Sequence, residues 1–192
     1  MTTANKVTVF RILLVPFFVD QILEFRDDGQ DWHRWLALAT FAAVAVMDGV
    51  DGFIARRFNQ RSELGAVLDP LADKLLLVSA IVTLSLNHTR LDPIPRWLTF
   101  PILTRDVLLV IGAVLIHYTV GSAKVRPRWT GKTATVLQMA TVIWTLLKWP
   151  QSIQTWLAAA AATLTLASGF QYLWDGMQQL AASPRSSANP RQ

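Results

Sequence analysis

The sequence predicts an all-α integral membrane protein, built as a bundle of six transmembrane helices. Hydrophobic residues make up 52% of the 192 residues and charged residues only 16%, a balance typical of membrane proteins. Six hydrophobic segments are each close to the ~20 residues that cross a bilayer core. Polar, turn-rich stretches separate them. The length favours one membrane domain over 1–182, followed by a polar Pro/Ser-rich tail over 183–192 that we expect to be disordered.

The first three segments are predicted at 7–25, 34–57 and 66–86. Lys6 and Arg11 precede the first apolar run, but no small-residue cleavage site follows before Asp27 and Asp28. We therefore expect this segment to stay in the mature protein. The third segment contains LLLVSAIVTLSL at 75–86. This stretch has no polar face, which disfavours a soluble helical bundle.

The last three segments are predicted at 96–117, 132–149 and 153–177. The fourth contains Arg105 and Asp106, and ionisable groups inside a span are costly and usually pair or line a cavity. The loop AKVRPRW leads into the fifth segment, and a short turn from Lys148 to Gln151 separates the fifth from the sixth.

The distribution of basic residues predicts the orientation of the chain. When the loops are assigned alternately to two sides, Arg105 stays inside a span and one side receives only Arg26, Arg34, Arg90, Arg96 and Lys148. All other Lys and Arg residues fall on the opposite side, which the positive-inside rule makes cytoplasmic. Both termini then face the cytoplasm, and we expect the protein in a bacterial inner membrane.

Composition also excludes some partners and ligands. The chain has no cysteine, so disulfides and thiolate metal sites are excluded. The net charge of +5 comes from residues placed between hydrophobic segments, which favours contact with anionic lipid and gives no basic stripe for nucleic acid. The three histidines are scattered near segment ends, and we do not expect them to be metal ligands.

Four aspartates stand in the sequence DGVDGFIARRFNQRSELGAVLDPLAD at 48–73. Asp48 and Asp51 are spaced i, i+3, and Asp69 and Asp73 are spaced i, i+4, so each pair shares one face of a helix. Carboxylates in apolar surroundings repel one another unless a cation joins them. Hard oxygen ligands suit Mg²⁺, Mn²⁺ or Ca²⁺, and four carboxylates can hold two ions ~4 Å apart. Solvated carboxylates at helix ends are the alternative.

Small and basic residues accompany these aspartates. Gly52 and Ala55 leave room for a close approach, and Arg56 can contact a phosphate oxygen, although it could also be a cytoplasmic anchor. We expect Gly65 in the turn that leads into the third segment.

The pattern D-x2-D-G-x2-A-R-x8-G-x3-D-x3-D is the signature of the CDP-alcohol phosphatidyltransferases, and this sequence resembles it without a mismatch. The resemblance implies a metal-dependent transfer of a phosphatidyl group from CDP-diacylglycerol to an alcohol, with release of CMP. It implies that the cofactor is Mg²⁺ or Mn²⁺, bound as two ions. It implies a homodimer as well. A different class, a divalent-cation transporter, would place its carboxylates mid-membrane and would not need the glycines and the arginine.

The resemblance also implies roles for individual residues. The metal ligands would be Asp48, Asp51, Asp69 and Asp73, with Asp73 also the general base on the acceptor hydroxyl. The CDP-binding surface would be Gly52, Ala55, Arg56 and Gly65. An N-x2-T-x2-R segment similar to one in the family suggests nucleotide or lipid contacts by Asn5, Thr8 and Arg11.

The acceptor is a glycerol-based alcohol in the branch that this sequence resembles. FRILLVPFF and GKTATVLQM are similar to phosphatidylglycerophosphate synthases, whereas TRDVLL and VRPxxxGKxxTxxQ are closer to the cardiolipin synthases of this fold. The balance favours slightly phosphatidylglycerol as acceptor, with glycerol-3-phosphate as the alternative. Acceptor contacts are predicted for Arg105, Arg126, Arg128, Lys132 and Thr133. A buried ion pair at Arg105 and topological anchoring by the basic loop are the competing interpretations.

Overall fold

The computed structural model describes the backbone of residues 3–58, 63–86, 90–120 and 129–181, and the side chains of residues 10–47, 74–86, 90–108, 111 and 129–178. Over this range the chain forms α-helices joined by short connections, with no strand. The helices are α1 Thr3–Asp28, α2 Asp31–Phe58, α3 Glu63–Leu86, α4 Arg96–Val120, α5 Trp129–Leu146 and α6 Gln151–Ala181. The all-α fold class with six helices is confirmed.

Five predicted segments lie entirely within one helix each, and the fifth differs at its end. Segment 132–149 was expected to run to Trp149, but α5 ends at Leu146. Lys148 adopts a left-handed φ of 56°, and its amide donates to the Thr145 carbonyl over 3.1 Å. This left-handed residue closes the helix, and Pro150 then precedes α6. The predicted tail over 183–192 lies outside the described residues.

The chain divides into two compact units, and the first comprises Met1–Pro95 and Met139–Gln154. Within it α1 packs against both α2 and α3. Phe18, Ile22 and Phe25 are fully buried on α1, at the i, i+4, i+7 spacing of a single apolar face. The Phe18 ring lies 5.9 Å from the ring of Phe41 on α2. An aromatic and aliphatic core therefore holds α1 in place.

The connection between α1 and α2 has only two residues. Gly29 has a φ of 77°, which favours glycine over any residue with a Cβ, and its amide donates to the Phe25 carbonyl. The Arg90 Nε donates to the Arg26 carbonyl over 3.1 Å, and a Cβ at position 29 would overlap the Arg90 guanidinium. Because the connection is so short, α1 and α2 run antiparallel as neighbours.

Charged residues join the start of α2 to the end of α5 in what we call the Asp31 cluster (Asp31, Arg34 and Lys148). The Arg34 Nε donates to Asp31 Oδ1 over 3.0 Å, and its Nη1 donates to the Leu146 carbonyl over 2.7 Å. The Lys148 ammonium donates to the same Asp31 oxygen over 3.0 Å. Hydrogen bonds hold the pKa of the Asp31 carboxyl below its ordinary value, and the bond from Lys148 contributes more than the bond from Arg34.

The second unit comprises Arg96–Gln138 and Thr155–Gln192. Here polar groups join the first part of α5 to α6. The Gln138 amide donates to the Thr165 hydroxyl, and the Thr130 hydroxyl donates to Gln171 Oε1, both over 2.8 Å. The buried positions of α6 in this unit are small or polar: Ala158, Ala161, Ala162, Thr165 and Ser168. Small residues and hydroxyl hydrogen bonds are what helices use to associate in a bilayer.

Large apolar side chains lie on the outside of both units. On α6, Trp156, Phe170 and Trp174 are 77%, 71% and 62% exposed. Within the described part of the chain, Gln151–Gln178 is a helical stretch long and apolar enough to cross a membrane, and Lys74–Leu86 is apolar but shorter. The six membrane spans and the cytoplasmic termini stay predictions.

Candidate active site

The four aspartates of the sequence motif lie on two helices of the first unit. Asp48 and Asp51 are on α2, and Asp69 and Asp73 are on α3. Their backbone is helical, so each pair shares one helix face, as its spacing predicts. The side chains of all four lie outside the described set. Their position along the helices is what the structure provides.

The two pairs lie at matching levels of the unit. Asp48 is ten residues before the end of α2 at Phe58, and Asp73 is ten residues after the start of α3 at Glu63. At 1.5 Å per residue, each lies about 15 Å from the helix end that segment 59–62 connects. Since α2 and α3 contact each other and four residues join them, they run antiparallel. The register thus brings the two aspartate pairs to one level.

Helix α1 carries Arg11 to the same level. Arg11 is 17 residues before the end of α1 at Asp28, and Asp48 is 17 residues after the start of α2 at Asp31. The short α1–α2 connection joins these two helix ends. Each separation corresponds to about 26 Å along the helix. The Arg11 side chain is only 1% exposed, and a buried guanidinium is stable only among polar or anionic partners. The side chains of Asn5 and Thr8, on the preceding turns of α1, are not among those described.

The predicted CDP-binding residues are also helical. Gly52, Ala55 and Arg56 follow the first aspartate pair on α2, and Gly65 is the third residue of α3. The expectation that Gly65 lies in a turn is wrong, because α3 already begins at Glu63, where an acidic residue suits the positive end of the helix dipole. As a consequence, Gly65 stands i, i+4 from Asp69 and shares its face of α3.

In the second unit, Arg105 of α4 has several partners. Its Nη1 lies 3.0 Å from Asp106 Oδ1, and its Nη2 donates to the Ser168 hydroxyl of α6 over 3.2 Å. The guanidinium carbon lies 5.8 Å from the centre of the Tyr172 ring. The Arg105 and Asp106 side chains are 12% and 19% exposed. The Arg105 Nε is buried and has no hydrogen-bond partner within the described part of the chain, a state that costs about 1–3 kcal/mol unless a ligand satisfies it.

The other predicted acceptor contacts lie at the start of α5 or before it. Lys132 and Thr133 are exposed. The Lys132 ammonium lies 5.8 Å from the Trp129 ring centre, and the Thr133 hydroxyl donates to the carbonyls of Trp129 and Thr130. These contacts are local to α5 and do not include Arg105. Arg126 and Arg128 fall in a segment that the structure leaves undescribed.

Sequence reasoning missed three residues around Arg105. They are Gly131 of α5 and Ser168 and Tyr172 of α6. A signal was present, because Ser168 and Tyr172 are polar and spaced i, i+4 in a largely apolar segment, where polar residues usually serve helix contacts or function.

Comparison with known proteins identifies the family. The sequence model of the CDP-alcohol phosphatidyltransferases matches residues 1–167. The chain belongs to this family. It is similar to CDP-diacylglycerol–glycerol-3-phosphate 3-phosphatidyltransferases: 36% identical over 172 residues to that of Shigella flexneri serotype 5b, covering 86% of this chain and 90% of the relative. The protein of Escherichia coli strain K12 is 34% identical over 179 residues, covering 92% and 91%.

Membership establishes the chain as a CDP-alcohol phosphatidyltransferase, and so favours an enzyme over a cation transporter. The family uses divalent metal ions. Among the described residues, another group with suitable ligand atoms is Glu24, Asp28 and His33, whose ligand atoms lie within 4.8 Å of one another. His33 Nε2, however, is 3.2 Å from Asp28 Oδ2 and its Nδ1 is 2.8 Å from Gln21 Oε1. Both ring nitrogens therefore already have protein partners.

Proposed function

We propose that this CDP-alcohol phosphatidyltransferase transfers the phosphatidyl group of CDP-diacylglycerol to glycerol-3-phosphate and releases CMP. The observation that carries the proposal is the extent of the similarity. Relatives named for these two substrates match 86–92% of this chain and about nine-tenths of their own length. The similarity thus extends far beyond the aspartate motif.

The choice of glycerol-3-phosphate replaces the slight preference for phosphatidylglycerol. That preference depended on a few positions in TRDVLL and VRPxxxGKxxTxxQ. Identity of about one third over nearly two whole chains is the stronger argument, and it favours the alternative acceptor. The buried Arg105, whose Nε has no partner among the described side chains, also suits a small phosphate-bearing acceptor.

The carboxylate set suits the divalent metals that the family uses. Asp48, Asp51, Asp69 and Asp73 provide only hard oxygen donors, which Mg²⁺ and Mn²⁺ prefer. The matching positions of the two pairs along α2 and α3 support this choice of ligands. We propose that these four residues hold two ions, which would offset charge on the diphosphate as its bond to CMP breaks.

The protein residues then have separate tasks. Asp73 accepts the proton of the acceptor hydroxyl, whose oxygen attacks the phosphorus that bears the diacylglycerol, and the bond to CMP breaks. Arg56 contacts the diphosphate, while Gly52, Ala55 and Gly65 leave room for the nucleotide. Buried Arg11 lies at the level of the aspartates, which supports a role in balancing their charge. Arg105 binds the acceptor phosphate.

We also propose that all six helices span a membrane, with this site on the cytoplasmic side. The distribution of side chains supports it: Arg34 and Gln154 are buried, whereas Leu13, Leu86 and Trp156 are exposed. Such a surface is unfavourable in water and expected in lipid. The homodimer implied by the family is part of the same proposal.

In the experiment, the purified enzyme is incubated with labelled CDP-diacylglycerol and with Mg²⁺ or Mn²⁺. The acceptor added is either glycerol-3-phosphate or phosphatidylglycerol. We expect phosphatidylglycerophosphate as the product and metal-dependent release of CMP. Formation of cardiolipin without phosphatidylglycerophosphate would restore the phosphatidylglycerol interpretation.

Asp73→Asn tests the general base in the same assay. We expect turnover to fall by at least about 10³-fold, because the aspartates act as one unit. Asp27→Asn is the matched control, since this carboxylate is 67% exposed and accepts a hydrogen bond from its neighbour Arg26. Turnover of Asp73→Asn close to that of the control would refute the assignment.

A further inference from the structure

We propose that Gly131, Ser168 and Tyr172, which we call the Arg105 cradle, position the Arg105 guanidinium for the phosphate of the acceptor. They are positioning residues, because each would act through Arg105. The inference rests on the proposed function, in which Arg105 binds the acceptor. All the residues concerned belong to the second unit.

Gly131 provides the space in which the guanidinium lies. A Cβ built at this glycine would be 3.0 Å from the Arg105 Nη2 and 3.3 Å from the Ser168 hydroxyl oxygen. Both distances are shorter than ordinary van der Waals contact, so a Cβ here would require the guanidinium or the Ser168 hydroxyl to shift by a few tenths of an ångström. Gly131 does not have a positive φ that would itself require glycine. Close approach is therefore the reason for glycine here.

Ser168 and Tyr172 constrain the guanidinium from α6. The Ser168 hydroxyl accepts from Nη2, which limits rotation about the last bonds of Arg105. The Tyr172 ring lies within the distance at which an aromatic face attracts a guanidinium. Asp106 accepts from Nη1. These contacts leave Nε without a partner among the described residues although it is buried.

A purely structural arginine would not explain that last observation. An arginine serving only to join α4 to α6 is most stable when every buried N–H is satisfied. A guanidinium held by three groups with one buried N–H unpaired instead resembles a preorganised anion site, in which rigidity lowers the entropy lost on binding. A phosphate oxygen is an acceptor of matching charge for that N–H.

Two glycines against the same arginine provide a matched pair of variants. Gly131→Ala would crowd the guanidinium, whereas a Cβ at Gly169 would be 3.6 Å from the Arg105 Cγ, an ordinary contact with the aliphatic part of the side chain. Both glycines are helical, so the effect of alanine on helix propensity is similar in each. Their difference isolates the position of the charged group.

A second pair separates the Tyr172 ring from its hydroxyl. Tyr172→Phe keeps the aromatic face and Tyr172→Leu removes it. Ser168→Ala removes the acceptor for Nη2 without adding volume. These variants keep the proposal testable if Gly131→Ala fails to fold.

The experiment measures KM for glycerol-3-phosphate, KM for CDP-diacylglycerol, kcat and the thermal midpoint of each purified variant. We expect Gly131→Ala and Ser168→Ala to raise the KM for glycerol-3-phosphate about tenfold, and to leave kcat and the KM for CDP-diacylglycerol within about twofold. Tyr172→Leu should raise the same KM several-fold. Gly169→Ala should match the parent protein, and Tyr172→Phe, which keeps the aromatic face, should raise this KM less than Tyr172→Leu does.

Arg105→Lys is measured in parallel to separate two kinds of failure. If Arg105→Lys raises the KM for glycerol-3-phosphate but the cradle variants do not, the cradle is refuted and the role of Arg105 stands. If Arg105→Lys leaves that KM unchanged, the acceptor role of Arg105 is refuted and the cradle with it. A lower thermal midpoint with no selective change in KM would show that these residues serve folding only.

Discussion

Two buried arginines, one in each unit, have similar surroundings, and we propose different tasks for them. Arg34 in the first unit and Arg105 in the second are 8% and 12% exposed. Each pairs with a carboxylate, and each lies over an aromatic ring, Trp35 or Tyr172. The difference is in the Nε atoms. The Arg34 Nε donates to Asp31, whereas the Arg105 Nε is buried without a described partner.

This difference supports the proposal that Arg34 is a structural arginine and that Arg105 binds a ligand. Arg34 also donates to the Leu146 carbonyl, an acceptor at the end of α5 that has no amide partner within the helix. The Nε and Nη1 donors of Arg34 thus both have protein acceptors. Arg105 is also held by several groups, but its Nε has no acceptor among the described residues, and we propose that a ligand supplies one. Burial and charge are the same in the two cases, and hydrogen-bond satisfaction is what distinguishes them.

The largest effect on catalysis is expected when the guanidinium of Arg105 is replaced by the ammonium of lysine. Arg105→Lys should lower kcat/KM for glycerol-3-phosphate about 100-fold, or about 2.7 kcal/mol, because lysine cannot reproduce the planar set of donors. Steady-state kinetics with CDP-diacylglycerol saturating checks this. The thermal midpoint should change little. If instead only the midpoint falls, Arg105 is structural and the contrast with Arg34 disappears.

Arg34→Met should show the opposite pattern. We expect the free energy of unfolding to fall by about 2 kcal/mol, since the substitution leaves the Leu146 carbonyl without its donor and removes a buried ion-pair partner of Asp31. Denaturant unfolding in detergent measures the loss, and kcat per folded molecule should be unchanged. Arg26→Met is the control, because Arg26 is exposed and bonds its neighbour Asp27. Equal losses in the two variants would contradict the capping role of Arg34.

The smallest effect concerns pH and the Asp31 cluster. Asp31 precedes the predicted span 34–57, and Lys148 and Arg34 lower its pKa below the ordinary value of 3.8. A carboxyl with a lowered folded-state pKa stabilises the fold above its unfolded pKa, and this contribution is lost as the pH falls through the folded value. The Asp31 and Lys148 side chains are 58% and 42% exposed, so we expect the effect of pH on stability to be small.

Thermal midpoints between pH 7 and pH 3 provide the measurement. The parent protein should lose stability towards acid more steeply than Asp31→Asn, whose residue 31 does not titrate. Identical pH profiles would show that the Asp31 carboxylate contributes nothing to the stability of the first unit.

The sequence predicts the helices well but not the contacts that complete them. Each helix follows from a local run of apolar residues, as at 75–86, so its existence does not depend on the rest of the chain. The end of α5 was misplaced by three residues because it depends on the left-handed Lys148 and on Arg34, distant in sequence from Leu146. Similarly, Arg105 was identified from its charge within a span, whereas its Ser168 partner is known only once α4 and α6 are packed.

The aspartate motif is a different case, since its spacing carries information without tertiary structure. The i, i+3 and i, i+4 spacings specify one face on each helix, and the sequence alone predicts these shared faces. The matching level of Asp48, Asp73 and Arg11 was not predicted, because it depends on where α1, α2 and α3 begin and end.

The two-residue α1–α2 connection has a consequence for how this chain can change in length. Inserting one residue between Gln30 and Asp48 would rotate the Asp48–Asp51 face by about 100° and shift it by about 1.5 Å relative to Arg11. Even a seven-residue insertion, which restores the face, would move the pair by about 10 Å. An insertion in α2 before Asp48 therefore keeps the level of the aspartates only if α1 gains the same number of residues after Arg11. A homologue adapted to a thicker bilayer would have to lengthen α1 and α2 together.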